Sequence, residues 1–284
     1  QEVISMGTKK TRFLAVIDPT RTEQWALQKA LRMAKKRDDI ELYAFLCPYY
    51  YVQGADPSEL EAAELRRHAM WLDEIVERYT DLGVTVKPIV EWNEDWLEAL
   101  CDRVVELQID MVIKRASGRP NSLANSDRKL IRTLKSTLLL VKHDPAVELR
   151  KVLVAVDFNA TDDDHRALND ATIELGQQIL SLDDNIELHA VSAYLDSDKF
   201  VHAPDIAKRM GIDRSSAHVH LGQAEEVIPG LAKRIGAELV IIGNVGRHGL
   251  SGLTVGNTAE KILADIWSDV LILVQESKVA RAAA

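Results

Sequence analysis

The sequence predicts an α/β protein made of two doubly wound parallel sheets in tandem, five strands in each. Three observations carry that expectation. Short apolar runs alternate with segments of helical periodicity, the pattern of buried parallel strands joined by crossover helices. One ordered unit of this kind is written twice along the chain. The length of 284 residues is long for one domain and comfortable for two of about 140.

The repeat is clearest at its first strand. Arg12-Phe13-Leu14-Ala15-Val16-Ile17-Asp18 and Lys151-Val152-Leu153-Val154-Ala155-Val156-Asp157 share a basic start, an apolar run and a terminal aspartate. Each is followed by a turn and a helix with a single apolar stripe: Ala26, Leu27, Ala30, Leu31 and Ala34 in one, Ala167, Leu168, Ala171 and Leu175 in the other. Second strands follow at Asp39 to Ala44 and Asn185 to Ala190, nearly letter for letter. The halves then diverge. The first carries a long helix, capped by Asp56 ahead of Pro57, with Leu65, Ala69, Leu72, Val76 and Tyr79 at 4-3-4-3 spacing; the second has a short stretch from Pro204 to Met210.

Third strands are expected at Val84 to Val90 and Ala217 to Leu221. The helices after them carry Trp96, Leu97, Leu100, Val104 and Leu107, and Val227, Ile228, Leu231 and Ile235. Fourth strands are Met111 to Ile113 and Leu239 to Ile242; fifth strands are Leu138 to Val141 and Val270 to Val274. The two domains join near His143 to Leu149, giving expected boundaries of 9–145 and 149–276.

Composition narrows the function classes. A hydrophobic fraction of 46% with 28% charged residues is that of an ordinary soluble protein able to bury a core in each half. The net charge of −9 comes from interspersed acidic and basic residues, so no basic stripe marks a nucleic-acid partner. No apolar run approaches the roughly 20 residues that span a bilayer, and residues 1 to 10 lack a signal-like apolar core. Cys47 and Cys101 have no C-x-x-C spacing and read as small buried hydrophobes in a reducing, cytoplasmic compartment. Gln1 in place of Met reads as a trimmed or altered start, and residues 1–8 and 280–284 are set aside.

The chemistry concentrates between the last two strands of the second unit. Gly243, Gly246, Gly249, Gly252 and Gly256 fall within fourteen residues, and Asn257-Thr258 opens a helix carrying Ala259, Ile262, Leu263 and Ile266. Glycines permit positive φ and close backbone approach, and a helix N-terminus offers unpartnered amides to an anion. Glycine content alone fits a phosphate cradle or an unliganded surface loop equally. Neither G-x-x-x-x-G-K-S/T nor G-x-G-x-x-G is present.

Gly243-x-x-Gly246, nine residues, then Gly256 resembles the G-x-x-G-x9-G-S/T signature of the universal stress protein family, with Asn257 in the last position and Thr258 one step later. With the paired aspartates and the doubled unit, the chain from about residue 10 to 276 is similar to tandem members of that family, most like type E. The resemblance implies an adenine nucleotide α-hydrolase-like fold with strand order 3-2-1-4-5. It implies ATP or a related adenine nucleotide, with or without Mg2+, as ligand of the second domain. Asp157 would face ribose or a metal ion, backbone at Val191 would contact adenine, and Gly243, Gly246, Gly256, Asn257 and Thr258 would surround the phosphates, with Arg247 beside them. Family members pair through their last strands, so the two halves are expected to form an intramolecular pseudo-dimer, with homodimerisation of the whole chain open.

The first unit departs from the signature. Lys114-Arg115-Ala116-Ser117-Gly118-Arg119-Pro120 makes a loop about five residues shorter with one glycine, and Arg115 stands where Gly243 does. Its basic residues read as a solvated loop rather than an anion site.

Other constellations are weaker. His218 and His220 share a strand face, but two imidazoles make a poor metal site, and no metal or catalytic residue is assigned. Asp162-Asp163-Asp164-His165 reads as helix capping. Ser251 is not in a G-x-S-x-G elbow, and His248 reads as an exposed loop histidine. The function expected is therefore a stress-response regulator that binds nucleotide and contacts an unidentified protein partner. The rival is an ATP-using enzyme, at most a slow ATPase or adenylyl transferase, although no S-G-G-x-D-S or H-x-G-H motif is present. A carrier of a small amphiphile in the first domain is a third reading.

Overall fold

A computed structural model describes residues 10–37, 39–49, 56–79, 83–118, 122–244 and 257–274. In chain order the elements are β1 (Thr11–Val16), α1 (Trp25–Lys35), β2 (Ile40–Leu46), α2 (Pro57–Glu77), β3 (Val86–Val90), α3 (Trp96–Glu106), β4 (Met111–Arg115), α4 (Asn125–Thr133) and β5 (Thr137–Val141). The second repeat adds β6 (Lys151–Ala155), α5 (Asp163–Leu180), β7 (Glu187–Tyr194), α6 (Ala203–Met210), β8 (Ala217–Leu221), α7 (Ala224–Ile235), β9 (Leu239–Asn244), α8 (Asn257–Asp265) and β10 (Asp269–Val274).

The chain divides into two compact units, 1–115 and 116–284. In the first, parallel strands run in the order β3-β2-β1-β4; in the second the order is β5-β10-β9-β6-β7-β8, parallel except for the antiparallel pair β10–β5. The second repeat thus shows the full 3-2-1-4-5 order, with β6 as its first strand, and the fold is the doubly wound α/β class that the sequence predicts. The fourth helix and fifth strand of the first repeat, α4 and β5, lie in the second unit. The 145/149 division is a division of sequence repeats, and the compact units part elsewhere.

Local chemistry explains most boundaries. Asp56 accepts the N–H groups of Ser58 and Glu59 (2.9 and 3.3 Å), and Pro57 supplies a preset φ where no donor is needed, so α2 starts there. Asp162 accepts from the His165 N–H at 3.0 Å and starts α5, as its run of acids suggests. Helices α6 and α7 stop at Gly211 and Gly236, both at φ 69°. The central strands are buried on both faces, with Leu14, Leu42 and Ile113 in one unit and Val152, Val154 and Ile241 in the other fully enclosed. Each such side chain contributes about 1.5–3 kcal/mol on burial. β7 runs past the expected Ala190 to Tyr194, carrying Val191 within the sheet.

Candidate switch-point site

In the second unit β6 has β7 on one side and β9 on the other, with Ala155 level with Val191 and Val154 level with Ile241. The connections leave these neighbours in opposite directions, so a crevice forms at the carboxyl ends of the strands, where open α/β sheets bind ligands. Asp157, Val191 and Gly243 come to that end together.

Asp157 is exposed, and its backbone is fixed by a residue that sequence reasoning missed. Asn169 of α5 accepts the Asp157 N–H at its Oδ1 (3.3 Å) and donates from Nδ2 to the Asp157 carbonyl (2.6 Å). One carboxylate oxygen accepts the Asn159 N–H at 2.9 Å; among the described residues the other is open to a hydroxyl or a cation. Val191 is buried, and its carbonyl accepts the Val156 N–H at 3.0 Å. Gly243 has a reason of its own to lack a side chain. A Cβ there would lie 2.7 Å from Leu168 Cγ and 2.8 Å from Cδ2, with Thr172 Oγ1 at 3.3 Å, so α5 packs directly against the strand backbone. Gly246, Arg247 and Gly256, with His248 and Ser251, lie outside the described residues. Helix α8 begins at Asn257, but the side chains of Asn257 and Thr258 also lie outside them.

The first repeat puts the same backbone to a different use. Ala15 is level with Ile113 as Val154 is with Ile241, which places Arg115 at the register of Gly243. Its guanidinium lies 3.6 Å from the centre of the Trp25 ring, a cation–π stack. Burial, then the nearby Arg21 charge, press its pKa below the usual value. Asp18, the counterpart of Asp157, takes the Thr20 N–H and hydroxyl (2.9 and 2.6 Å), with Arg21 Nε 3.8 Å away. Its backbone is held by Gln24, which accepts the Asp18 N–H at 2.9 Å and donates to the Asp18 carbonyl at 2.8 Å. Both aspartates are therefore clasped by a side-chain amide from the following segment. The spacing differs, six residues in one repeat and twelve in the other, so no sequence pattern reveals it.

Lys114 and Arg115, expected in a solvated basic loop, lie instead at the end of β4. Lys114 is buried and donates to the Arg115 carbonyl at 3.0 Å, and Arg115 is stacked; Arg119 lies outside the described residues. The Ser117 N–H donates to Asp127 Oδ2 at 2.8 Å, and Asp127 is fully buried. A loop amide that a phosphate would need is thus committed to the chain's own carboxylate. Gly118 is tightly enclosed, since a Cβ would sit 2.2 Å from the Ser122 carbonyl oxygen.

Histidines form a second cluster. His218 and His220 share a face of β8, and His189 of β7 joins them, its Nδ1 3.2 Å from His218 Nε2. The rings stack at 5.4 and 6.4 Å, and Arg234 of α7 donates to His220 Nε2 at 3.1 Å. Burial, then the charges of its neighbours, push His218 down to about 4; burial likewise lowers His189 and His220. Among the described residues, no group of three or more His, Cys, Asp or Glu side chains is placed to hold a metal ion. Cys47 and Cys101 are half-buried, where full burial was expected. Burial pushes the Cys47 thiol up to about 11, leaving little thiolate at neutral pH. No described helix is long and apolar enough to cross a membrane.

Comparison with known proteins bears on both repeats. The sequence profile of the Universal stress protein family matches residues 10–142 and again 148–274. Universal stress protein E of Escherichia coli K12 is 28% identical, over 92% of each chain. The Universal stress protein E homolog of Haemophilus influenzae is 26% identical over 93% of this chain and 97% of its own. Among solved structures, a functionally unknown protein from Pseudomonas aeruginosa PAO1 superposes with a TM-score of 0.79 at 25% identity, covering 96% of this chain and 95% of the other.

Proposed function

This chain belongs to the universal stress protein family, as a tandem type similar to universal stress protein E, and on that premise we propose that it is a nucleotide-responsive regulator. Its second repeat, assigned to 149–276, binds ATP or a related adenine nucleotide; the first, 9–145, binds none. The bound state alters contacts with a protein partner in the cytoplasm, and turnover is not its business.

The observation that carries this reading is the contrast at the two switch points. In the second repeat an exposed, backbone-clasped Asp157 stands beside Val191, at the end of the crevice where the G-x-x-G-x9-G segment leaves β9. The open carboxylate oxygen fits a ribose hydroxyl or Mg2+. Gly243, Gly246, Gly256, Asn257 and Thr258 would hold phosphate oxygens through amides and short polar groups, with Arg247 adding charge and Val191 backbone meeting the base. In the first repeat the corresponding place holds a stacked arginine and an internal carboxylate. The antiparallel β5–β10 pair supports the intramolecular pseudo-dimer, since each repeat then covers the edge left by the other's last strand.

Bound nucleotide would supply only its own polyphosphate and base to the regulatory state. A site of amides and glycines binds a ground state without favouring a transition state. The test is mass spectrometry of small molecules released from protein purified without added nucleotide, followed by an ATP turnover assay. An adenine nucleotide with negligible turnover supports the regulator. Hydrolysis at a typical enzyme rate, on the order of 10 per second, abolished by His248→Ala, would establish the enzyme instead; a released lipid-like species would establish the carrier.

A further inference from the structure

Lys142 follows the last residue of β5 and so belongs to the first repeat, yet its side chain serves the second. Its Nζ donates to the carbonyl oxygens of Leu263 (2.5 Å) and Ile266 (2.6 Å). Leu263 lies in the last turn of α8 and Ile266 directly follows its last residue, so neither carbonyl has an intrahelical donor. A cation there also meets the negative end of the helix dipole. The backbone bearing this lysine is itself anchored, because the N–H groups of Lys142 and His143 donate to Asp269 Oδ1 at 2.7 and 3.1 Å, and Asp269 is buried. Nearer its other end, α8 is held again, with Arg132 Nε of α4 donating to Glu260 Oε1 at 2.7 Å.

The grip is one-sided. The β5–β10 pairing is symmetric about Leu139 and Leu271, and that symmetry puts Val274 where Lys142 stands and Thr137 where Asp269 stands. Among the described residues, only the first repeat carries a clamp of this kind on the other's helix.

We infer that Lys142 is a positioning residue for the second repeat: by pinning the C-terminal end of α8 it fixes the lengthwise placement of the helix that opens directly after the glycine-rich segment. The inference rests on the nucleotide reading above. A hydrogen-bonded helix is stiff along its axis, at about 1.5 Å per residue, so a shift at one end of this nine-residue segment is passed to the other. Geometry of that kind governs how well a helix N-terminus meets a ligand. The first repeat, closed to nucleotide itself, then acts as the fixture that sets the binding helix of its partner.

The ammonium faces Asp127 from α4, Asp265 at the end of α8 and Asp269 in β10, with His143 beside it. Burial brings its pKa down to about 8, and those three carboxylates oppose the fall. The grip is therefore charged at neutral pH and discharges just above it.

The experiment uses the full chain with ATP as the probe, in the wild type, Lys142→Met and Lys142→Arg. Calorimetric affinity between pH 6.5 and 9 is read beside the unfolding midpoint and hydrogen exchange over residues 257–265. In Lys142→Met we expect ATP to bind roughly five- to tenfold more weakly and α8 amides to exchange faster. The midpoint should fall as well, because removing the ammonium leaves two carbonyls and the facing carboxylates without their partner, so the pH profile of affinity is what separates positioning from stability. Wild-type affinity should fall as pH rises through about 8, whereas Lys142→Arg keeps both its affinity and its charge there. Unchanged α8 exchange in Lys142→Met, or the same alkaline limb in wild type and Lys142→Arg, overturns the inference. If Lys142→Met does not fold, the wild-type and arginine pH profiles decide. If wild type binds no ATP, the nucleotide reading falls, and α8 exchange alone upholds or overturns the clamp.

Discussion

Asp18 and Asp157 each stand two residues beyond equivalent strands, and each is clasped by an amide side chain, Gln24 in one case and Asn169 in the other. What differs is the strand next door. Where β9 presents Gly243, β4 presents Arg115 laid over Trp25, and beyond β4 the loop amide of Ser117 is already answered by Asp127. The two repeats keep the same sheet order while one switch point carries a glycine and the other an arginine with an internal carboxylate behind it. The clasped aspartate is the part common to both repeats.

The largest effect that could break this comparison comes from exchanging the two register-matched residues. Gly243→Ala should destabilise the chain by about 1–3 kcal/mol, because its Cβ would lie 2.7 Å from Leu168 Cγ, and Gly243→Arg should cost more. Urea unfolding reads this directly. If Gly243→Ala kept full stability but lost nucleotide, the glycine would be there for the ligand and the packing account would be wrong. Arg115→Gly should give no second nucleotide site, since Asp127 still occupies the loop.

The two clasps differ in depth. Gln24 is 2% exposed and also donates to the Arg21 carbonyl at 2.7 Å, whereas Asn169 is half-buried. Removing a buried partner leaves unsatisfied backbone groups costing about 1–3 kcal/mol. Gln24→Ala should therefore cost about 2 kcal/mol and Asn169→Ala about 1, read as shifts in denaturation midpoint. The reverse order would mean that the amides do not fix the aspartates as described.

The histidine stack makes the stability of the second unit depend on pH. His218 titrates at about 4 when folded against an ordinary 6.5, so the unfolded chain takes up protons first and stability falls as pH drops from about 6.5 toward 4. The loss should be on the order of 1 kcal/mol, less than the full displacement implies because the edge stays in contact with water. His218→Phe should flatten that part of the profile, and an unchanged profile would contradict the assigned cause.

Much of the fold was legible because it rests on local periodicity. The paired apolar runs located the ten strands among the described residues, and the Asp56 and Asp162 caps were readable from residue type alone. The site was legible only in part. Arg115 could be aligned with Gly243 by counting, but the Gln24 and Asn169 clasps, the Asp127 plug and the arrival of His189 beside His218 depend on contacts across 6 to 29 residues with no fixed spacing. The boundary of the compact units was hidden for the same reason. Pairing of β5 with β10 draws the end of the first repeat into the second unit, and strand pairing at such separation leaves no periodic trace.

The smallest effect concerns the altered end of the signature. Asn257→Ser restores a hydroxyl able to meet a phosphate oxygen, and one regained hydrogen bond should tighten binding by about 1 kcal/mol, a several-fold change. No change would remove position 257 from the phosphate contacts.

Stoichiometry tests the central contrast most directly. Isothermal titration of the full chain with ATP should give one site, and Gly246→Val should lose it, because a β-branched side chain blocks close approach and disfavours positive φ. Two equivalent sites per chain, or wild-type affinity in Gly246→Val, would contradict the account.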